Sequence, residues 1–299
     1  MELLNLKRNG LEINQQVPLS KYTFTKTGGP AEYLAFPRNQ SELEQLLQAA
    51  KLDELPVTVI GNASNLIIRD GGIDGLVLIL TKMNQITISK QSVTAEAGGR
   101  IIDTAFAAAN HGLSGLEFAA GIPGSVGGAV YMNAGAYGGE TSQALLSAKV
   151  LTLTGEIKEY SNEEIHFTYR HSLMQTTGDV VIAATFKLHP GKKSAILAQM
   201  NYLNALRRYK QPLEYPSCGS VFKRPVGHFV GPMIIQAGLQ GKQIGGAQVS
   251  QKHAGFIVNK GNATATDYLK LIELIKQTIK QKFGIDLQTE VRVIGKPSN

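Results

Sequence analysis

The chain has 299 residues, 43% of them hydrophobic and 18% charged; such a mixture can bury a core, and at roughly 150 residues per domain it suggests about two of them. Low-complexity disorder is excluded, and so is a membrane span, since no stretch approaches about 18 uninterrupted apolar residues. A lone cysteine, Cys218, rules out an intrachain disulfide and a cysteine-rich metal site, and the opening MELLNLKRNG lacks a basic start followed by an apolar run, so a cytoplasmic, metal-free protein is expected.

In chain order, Ser41-Glu42-Leu43-Glu44 reads as a capping box, and Leu43, Leu46, Leu47 and Ala50 line one face of the helix it opens. Short buried strands are expected at Val57–Ile60 and Leu66–Ile68, on either side of GNASN (61–65), and again at 76–80. Val93, Ala95 and Ala97 alternate as a strand, and Ile101–Asn110 reads as a helix closed by Gly112. A hairpin follows, 150–154 and 157–160 around Gly155, then a strand over 180–188. The segment HPGKK (189–193) is the best linker. Beyond it, Ile196, Met200, Leu203 and Leu206 mark a helix that Pro212 ends. Another helix starts near Thr266-Asp267 and stops at Gly284, and 287–294 reads as the last strand. The fold class is α+β, with a region 1–190, itself split near 75–85, and a C-terminal domain 191–299.

Thirty basic residues against 23 acidic ones give a net charge of +7. They are scattered, with Arg207, Arg208 and Lys210 the densest cluster, and no basic-aromatic interleaving marks a nucleic-acid groove. A positive field suits a small anionic substrate or a phosphate-bearing cofactor at least as well.

Glycine is the unusual residue: 32 in all, nine of them between Gly112 and Gly139. In GLEFAAGIPGSVGGAVYMNAGAYGGE (115–140), Gly121, Gly124 and Gly127 recur every third residue around Pro123. That crowding predicts a loop pressed against a flat or diphosphate ligand, where absent side chains let backbone N–H groups reach oxygens. GNASN is weaker: it is neither GxGxxG nor a P-loop, and by itself reads as an ordinary strand-to-strand turn. Glu290 and Arg292 share a face by their period of two, opposite Val291 and Val293. Cys218 reads as a buried, inert thiol, and His253 as structural or substrate-positioning rather than a general base.

Together with TGGPA (27–31), YRHS (169–172), SCGSVFKRP (217–225), GGAQVSQKHAGFIVN (245–259) and EVRVIG (290–295), these motifs resemble, in order and spacing, the UDP-N-acetylenolpyruvoylglucosamine reductases. The chain looks like the shorter of that family's two branches, which lacks a tyrosine-bearing lid loop. The resemblance implies an FAD-binding region of the vanillyl-alcohol-oxidase type in two subdomains, followed by a substrate-binding domain. It implies FAD as cofactor, NADPH as reductant and UDP-N-acetylglucosamine-enolpyruvate as substrate, in a monomer with no nucleic-acid or membrane partner.

By the same resemblance the catalytic arginine falls on Arg170, the proton-donating serine on Ser220 and the catalytic glutamate on Glu290. Cofactor contacts fall on Gly61, Asn62, Ala63, Ser64 and Asn65, and on Gly121, Ile122, Pro123, Gly124, Ser125 and Gly128. Tyr137 matches a tyrosine near the substrate diphosphate, and Arg208 and Lys223 are expected diphosphate or carboxylate contacts. Three positions depart from the family pattern: Ala63 where glycine is usual, His171 where aspartate is frequent, and Arg224 where asparagine is frequent. The first matters if residue 63 needs a positive φ.

The chemistry explains the residue types. Hydride addition to an enolpyruvyl ether builds negative charge beside a carboxylate, which a permanently charged arginine can meet with two donors. A glutamate there must carry a proton, as burial near a second carboxylate would favour. A positioned serine hydroxyl can then quench the carbanion. A generic FAD oxidase or dehydrogenase of the same fold would account for the glycine loops but not for Arg170, Ser220 and Glu290 together.

Overall fold

The computed structural model describes residues 1–152 and 154–298; Leu153, in the expected 150–154 strand, and Asn299 lie outside them. The architecture is α+β, with the chain threading two compact units. The first comprises 1–14, 33–62 and 75–207, and the second comprises 15–32, 63–74 and 208–299. The two units alternate along the sequence, and the chain re-enters the first at Gly75. HPGKK is no free linker. His189–Pro190 pairs antiparallel with Leu113–Ser114, and Gly191 N donates to Gly112 O, so the segment is stitched into the first unit. The chain leaves that unit only at Arg207, inside the helix Lys193–Lys210.

The first unit is built on a five-stranded antiparallel sheet in the order Ile157–Ser161, Leu145–Leu151, Val180–Lys187, Ser92–Glu96, Ile86–Ser89. Its register stacks small residues: Ala148 faces Ala184, and Ala184 faces Ala95. Small side chains there leave room for the helices Ile101–Asn110 and Val126–Tyr131, whose buried Ala105, Ala108, Ala129 and Val130 join the same core. Val57–Ile60 lies parallel to Ile73–Ile79, Val57 opposite Leu76 and Ile60 opposite Ile79. The expected capping box at Ser41 gives way to Asn39, whose side chain accepts from Glu42 N, so the helix Gln40–Leu52 begins earlier.

The second unit has its own core. A four-stranded antiparallel sheet runs Ser217–Ser220, Phe256–Asn259, Ala247–Val249, Gln243–Ile244. Against it lies the amphipathic helix Ala265–Phe283, burying Tyr268, Leu271, Ile272, Ile275 and Ile279. It starts one to two residues before the expected Thr266-Asp267, with Thr264 and Asp267 forming the capping box, and it ends, as expected, at Gly284 with φ +70°. Asp70, far away in sequence, adds a tertiary cap by accepting from Ala265 N, Thr266 N and Thr266 Oγ1 at 2.6–2.8 Å.

The expected strand 287–294 shrinks to Arg292–Ile294, parallel to Leu66–Ile68. TGGPA serves the same unit. A Cβ on Gly29 would stand 2.1 Å from Asp70 O, so glycine lets the two backbones touch. Among the described residues no helix is long and apolar enough to cross a membrane.

Candidate active site

The YRHS turn places Arg170. Thr168 and His171 exchange backbone hydrogen bonds, both 3.1 Å, which leaves Arg170 in the left-handed region with φ +57°. A non-glycine residue there is strained by about 1–3 kcal/mol and must be held by its surroundings. Gln175 Nε2 donates to Arg170 O at 3.0 Å and to Tyr131 O at 2.8 Å, and the buried Ser172 hydroxyl donates to Tyr131 O as well. The guanidinium donates to Gly135 O at 3.0 Å and to Asn133 O at 3.5 Å. It borders a cavity of about 250 Å³ lined also by Gly135, Tyr137, Glu140 and Gln143. The two carbonyls orient the guanidinium, whose permanent charge and planar fork of donors suit a carboxylate.

Tyr137 shares that cavity, itself at φ +54°, with the Arg207 guanidinium 5.6 Å from its ring centre. Burial pulls Arg207 below the ordinary arginine value. A Cβ on Gly121 would stand 2.7 Å from Arg207 Nε, so this arginine packs directly on the glycine-rich segment. Arg208, an expected diphosphate or carboxylate contact, is exposed and belongs to the second unit.

The glycine block is not one loop. A 3-10 turn, Glu117–Gly121, is followed by the helix Val126–Tyr131, which Ser125 caps by accepting from Gly128 N. Inside that helix a Cβ on Gly127 would approach Ala97 Cβ to 2.9 Å, and beyond it a Cβ on Gly139 would stand 2.6 Å from the Phe118 ring, so glycine is needed at both. The N–H groups of Ile122, Gly124, Val126, Gly127 and Gly128 all donate to protein acceptors.

GNASN is the opposite case. Its recorded bonds use carbonyls and side chains: Ala63 O accepts from Phe24 N, Asn65 O from Arg292 N, and Asn62 Nδ2 donates to Pro123 O. Among the described residues the amides of Asn62, Ala63 and Ser64 meet no protein acceptor. Ala63 is buried with φ +46°, so the position does require the backbone that glycine supplies more cheaply. Gly61 lies against Ser125, a Cβ there standing 2.0 Å from Ser125 Oγ, which brings the two expected cofactor segments together. Consecutive small residues with unspent amides fit a phosphate-bearing group such as FAD.

The segments carrying Ser220 and Glu290 lie side by side within the second unit. Ser220 ends its strand opposite Phe256; next to it, Val221 O accepts from Glu290 N at 2.8 Å, and Phe222 bridges to Thr289. Both side chains are half-buried. Asn65 Nδ2 donates to Glu290 O at 3.1 Å, so this GNASN residue secures the segment carrying the glutamate. Lys223 follows on the same segment, half-buried, its N–H donating to Gln288 O.

Cys218 is buried, and desolvation pushes its thiol up to about 12, which makes it inert. Burial holds the His253 imidazole below its ordinary value, and Nδ1 accepts from Gly255 N at 3.2 Å while the ring packs edge-on against Phe256. The imidazole thereby anchors its own turn. Among the described residues no three His, Cys, Asp or Glu side chains cluster as a metal site.

Two family models match the chain: an FAD binding domain over residues 31–161, and the C-terminal domain of UDP-N-acetylenolpyruvoylglucosamine reductase over 211–294. The chain is 71% identical over 295 residues to the UDP-N-acetylenolpyruvoylglucosamine reductase of Lactobacillus delbrueckii subsp. bulgaricus, covering 99% of each. The chain belongs to this family. The Lactobacillus acidophilus reductase is 69% identical over 296 residues, again 99% of each chain. Among solved structures, the reductase of Thermus caldophilus superposes with a TM-score of 0.82 at 34% identity, over 95% of this chain and 99% of that one.

Sequence reasoning missed Asn133, Gln175 and Arg207, the residues that hold Arg170, its turn and Tyr137. The one available signal was Asn133 between Met132 and Ala134, a residue type that tolerates the left-handed backbone it adopts, with φ +41°.

Proposed function

We propose that the chain reduces the enolpyruvyl ether of UDP-N-acetylglucosamine-enolpyruvate to UDP-N-acetylmuramate, a step in peptidoglycan precursor synthesis, with NADPH as reductant. The supporting observation is the Arg170 guanidinium, oriented by two backbone carbonyls at the edge of a cavity it shares with Tyr137. FAD, when bound, supplies the hydride chemistry; the amides of Asn62, Ala63 and Ser64, with Gly61, Asn65 and the segment 121–128, would hold it.

What the chain itself adds is charge and a proton. Arg170 offers paired donors to the substrate carboxylate as negative charge spreads into it. Glu290, in its protonated form, donates a further hydrogen bond to that charge. Ser220 gives its hydroxyl proton to the carbon left carbanionic, where a positioned donor is worth about 10²–10⁴-fold. Tyr137 contacts the diphosphate, and Arg208 and Lys223 contact the diphosphate or the carboxylate. Residues 1–190 form the FAD-binding region, from which Arg170 and Tyr137 serve the substrate, and residues 191–299 form the substrate-binding domain. The enzyme works as a cytoplasmic monomer without nucleic-acid or membrane partners.

Anaerobic incubation with NADPH and the enolpyruvyl sugar nucleotide, read by mass spectrometry, tests the reaction: the product gains two hydrogens, and an unchanged sugar nucleotide would refute it. Ser220→Ala tests the proton donor. Flavin reduction by NADPH stays near normal, while reoxidation by the sugar nucleotide falls about 10²–10⁴-fold. An equal fall in both half-reactions would remove Ser220 from that role.

A further inference from the structure

We infer that Asn133 is a positioning residue for Arg170 and affects the reaction only through it, an inference that rests on the role of Arg170 proposed above. Asn133 is 1% exposed and sits at φ +41°, a backbone that asparagine tolerates better than most residues. All the polar groups of its side chain and its carbonyl are spent on one task. Nδ2 donates to Thr168 O at 3.1 Å, within the turn that carries Arg170. Oδ1 accepts from Ser142 N at 3.0 Å, at the start of the short helix Thr141–Ala144. Its carbonyl takes Arg170 Nη1 at 3.5 Å, and Gly135, two residues on, takes Nη2 at 3.0 Å.

One carboxamide therefore fixes the turn from which the arginine projects and the strip of backbone that receives its guanidinium. Gln175 holds the other side of the turn, through Arg170 O. The carboxamide donates from one atom and accepts at the other; aspartate keeps the shape and the acceptor but loses the donor, and leucine loses both. Without the bond to Thr168 the turn can shift against the cavity wall, and a displacement of about 1 Å at a charge-stabilising group costs about 10²-fold.

The test uses FAD-loaded protein carrying Asn133→Gly, which keeps the left-handed backbone, or Asn133→Asp, each alone and combined with Arg170→Ala. Reoxidation by the enolpyruvyl sugar nucleotide slows by about 10- to 100-fold in each single variant, while flavin reduction by NADPH changes less than about twofold. On the Arg170→Ala background, either Asn133 change adds less than about twofold, because its effect has already been removed. A full multiplicative loss on that background, normal reoxidation in both single variants, or failure of both to fold and retain FAD would each overturn the inference. Wild-type protein that the sugar nucleotide fails to reoxidise would remove the functional reading itself, and this inference with it.

Discussion

The two segments expected to hold the cofactor use glycine in opposite ways. Between Gly121 and Gly128, glycine admits protein: Gly127 touches Ala97, Gly121 lies on Arg207, and the amides are spent on Ala97, Gly99, Ala119, Ile122 and Ser125. In GNASN there is one glycine, yet the amides of Asn62, Ala63 and Ser64 have no acceptor among the described residues. Glycine content thus reports how closely backbones approach, whereas the capacity to bind an anion is read from where the N–H groups go. The richer motif is the better packed of the two, and the plainer one has the donors to give.

Substitutions can separate these uses. The largest effect is expected from Gly61→Val, whose side chain must displace Ser125 from the junction of the two segments; overpacking of about 1–3 kcal/mol there corresponds to about 10- to 100-fold weaker FAD binding, measured by flavin fluorescence. Unchanged affinity would separate the junction from the cofactor. Gly127→Val, pressed onto Ala97, should cost about 2 kcal/mol of stability in urea while leaving FAD affinity in the surviving fold unaltered. If it weakened FAD selectively, the division drawn between the two segments would fail.

Ser125→Ala removes the cap on Gly128 N and should cost about 1 kcal/mol of stability, read by urea unfolding. Smallest is Ala63→Gly. Relief of the left-handed strain, less the extra chain entropy of glycine, should leave the protein about 0.5 kcal/mol more stable, a rise of about 1–2 °C in Tm. A lower Tm would show that Ala63 carries no such strain.

Most of the secondary structure was legible because local rules acted alone. Ile196, Met200 and Leu203 were set by helical period, Gly284 by its αL cap, and Val57–Ile60 by its apolar β-branched run, although only Ile60 of the four is buried. What escaped was tertiary. Residues 15–32 and 63–74 join a unit whose main body starts at 208, and no local pattern announces that. Asp70 caps a helix almost two hundred residues away, and its signal in sequence is only an acidic turn before two glycines.

Glu290 was singled out, but the strand expected around it starts at Arg292, because Asn65 and Val221 claim its backbone instead. Arg170 was named by resemblance. The geometry that makes it useful, a left-handed residue with its guanidinium on two carbonyls, depends on Asn133 and Gln175, whose roles exist only once the chain has folded.

The most direct measurement is the visible spectrum of the FAD-loaded protein, taken under anaerobic conditions with NADPH and then with the enolpyruvyl sugar nucleotide. The account predicts flavin bands that bleach with NADPH and return in full with the sugar nucleotide. Bands that bleach but return only on admission of oxygen would contradict it and leave a flavoprotein of another specificity.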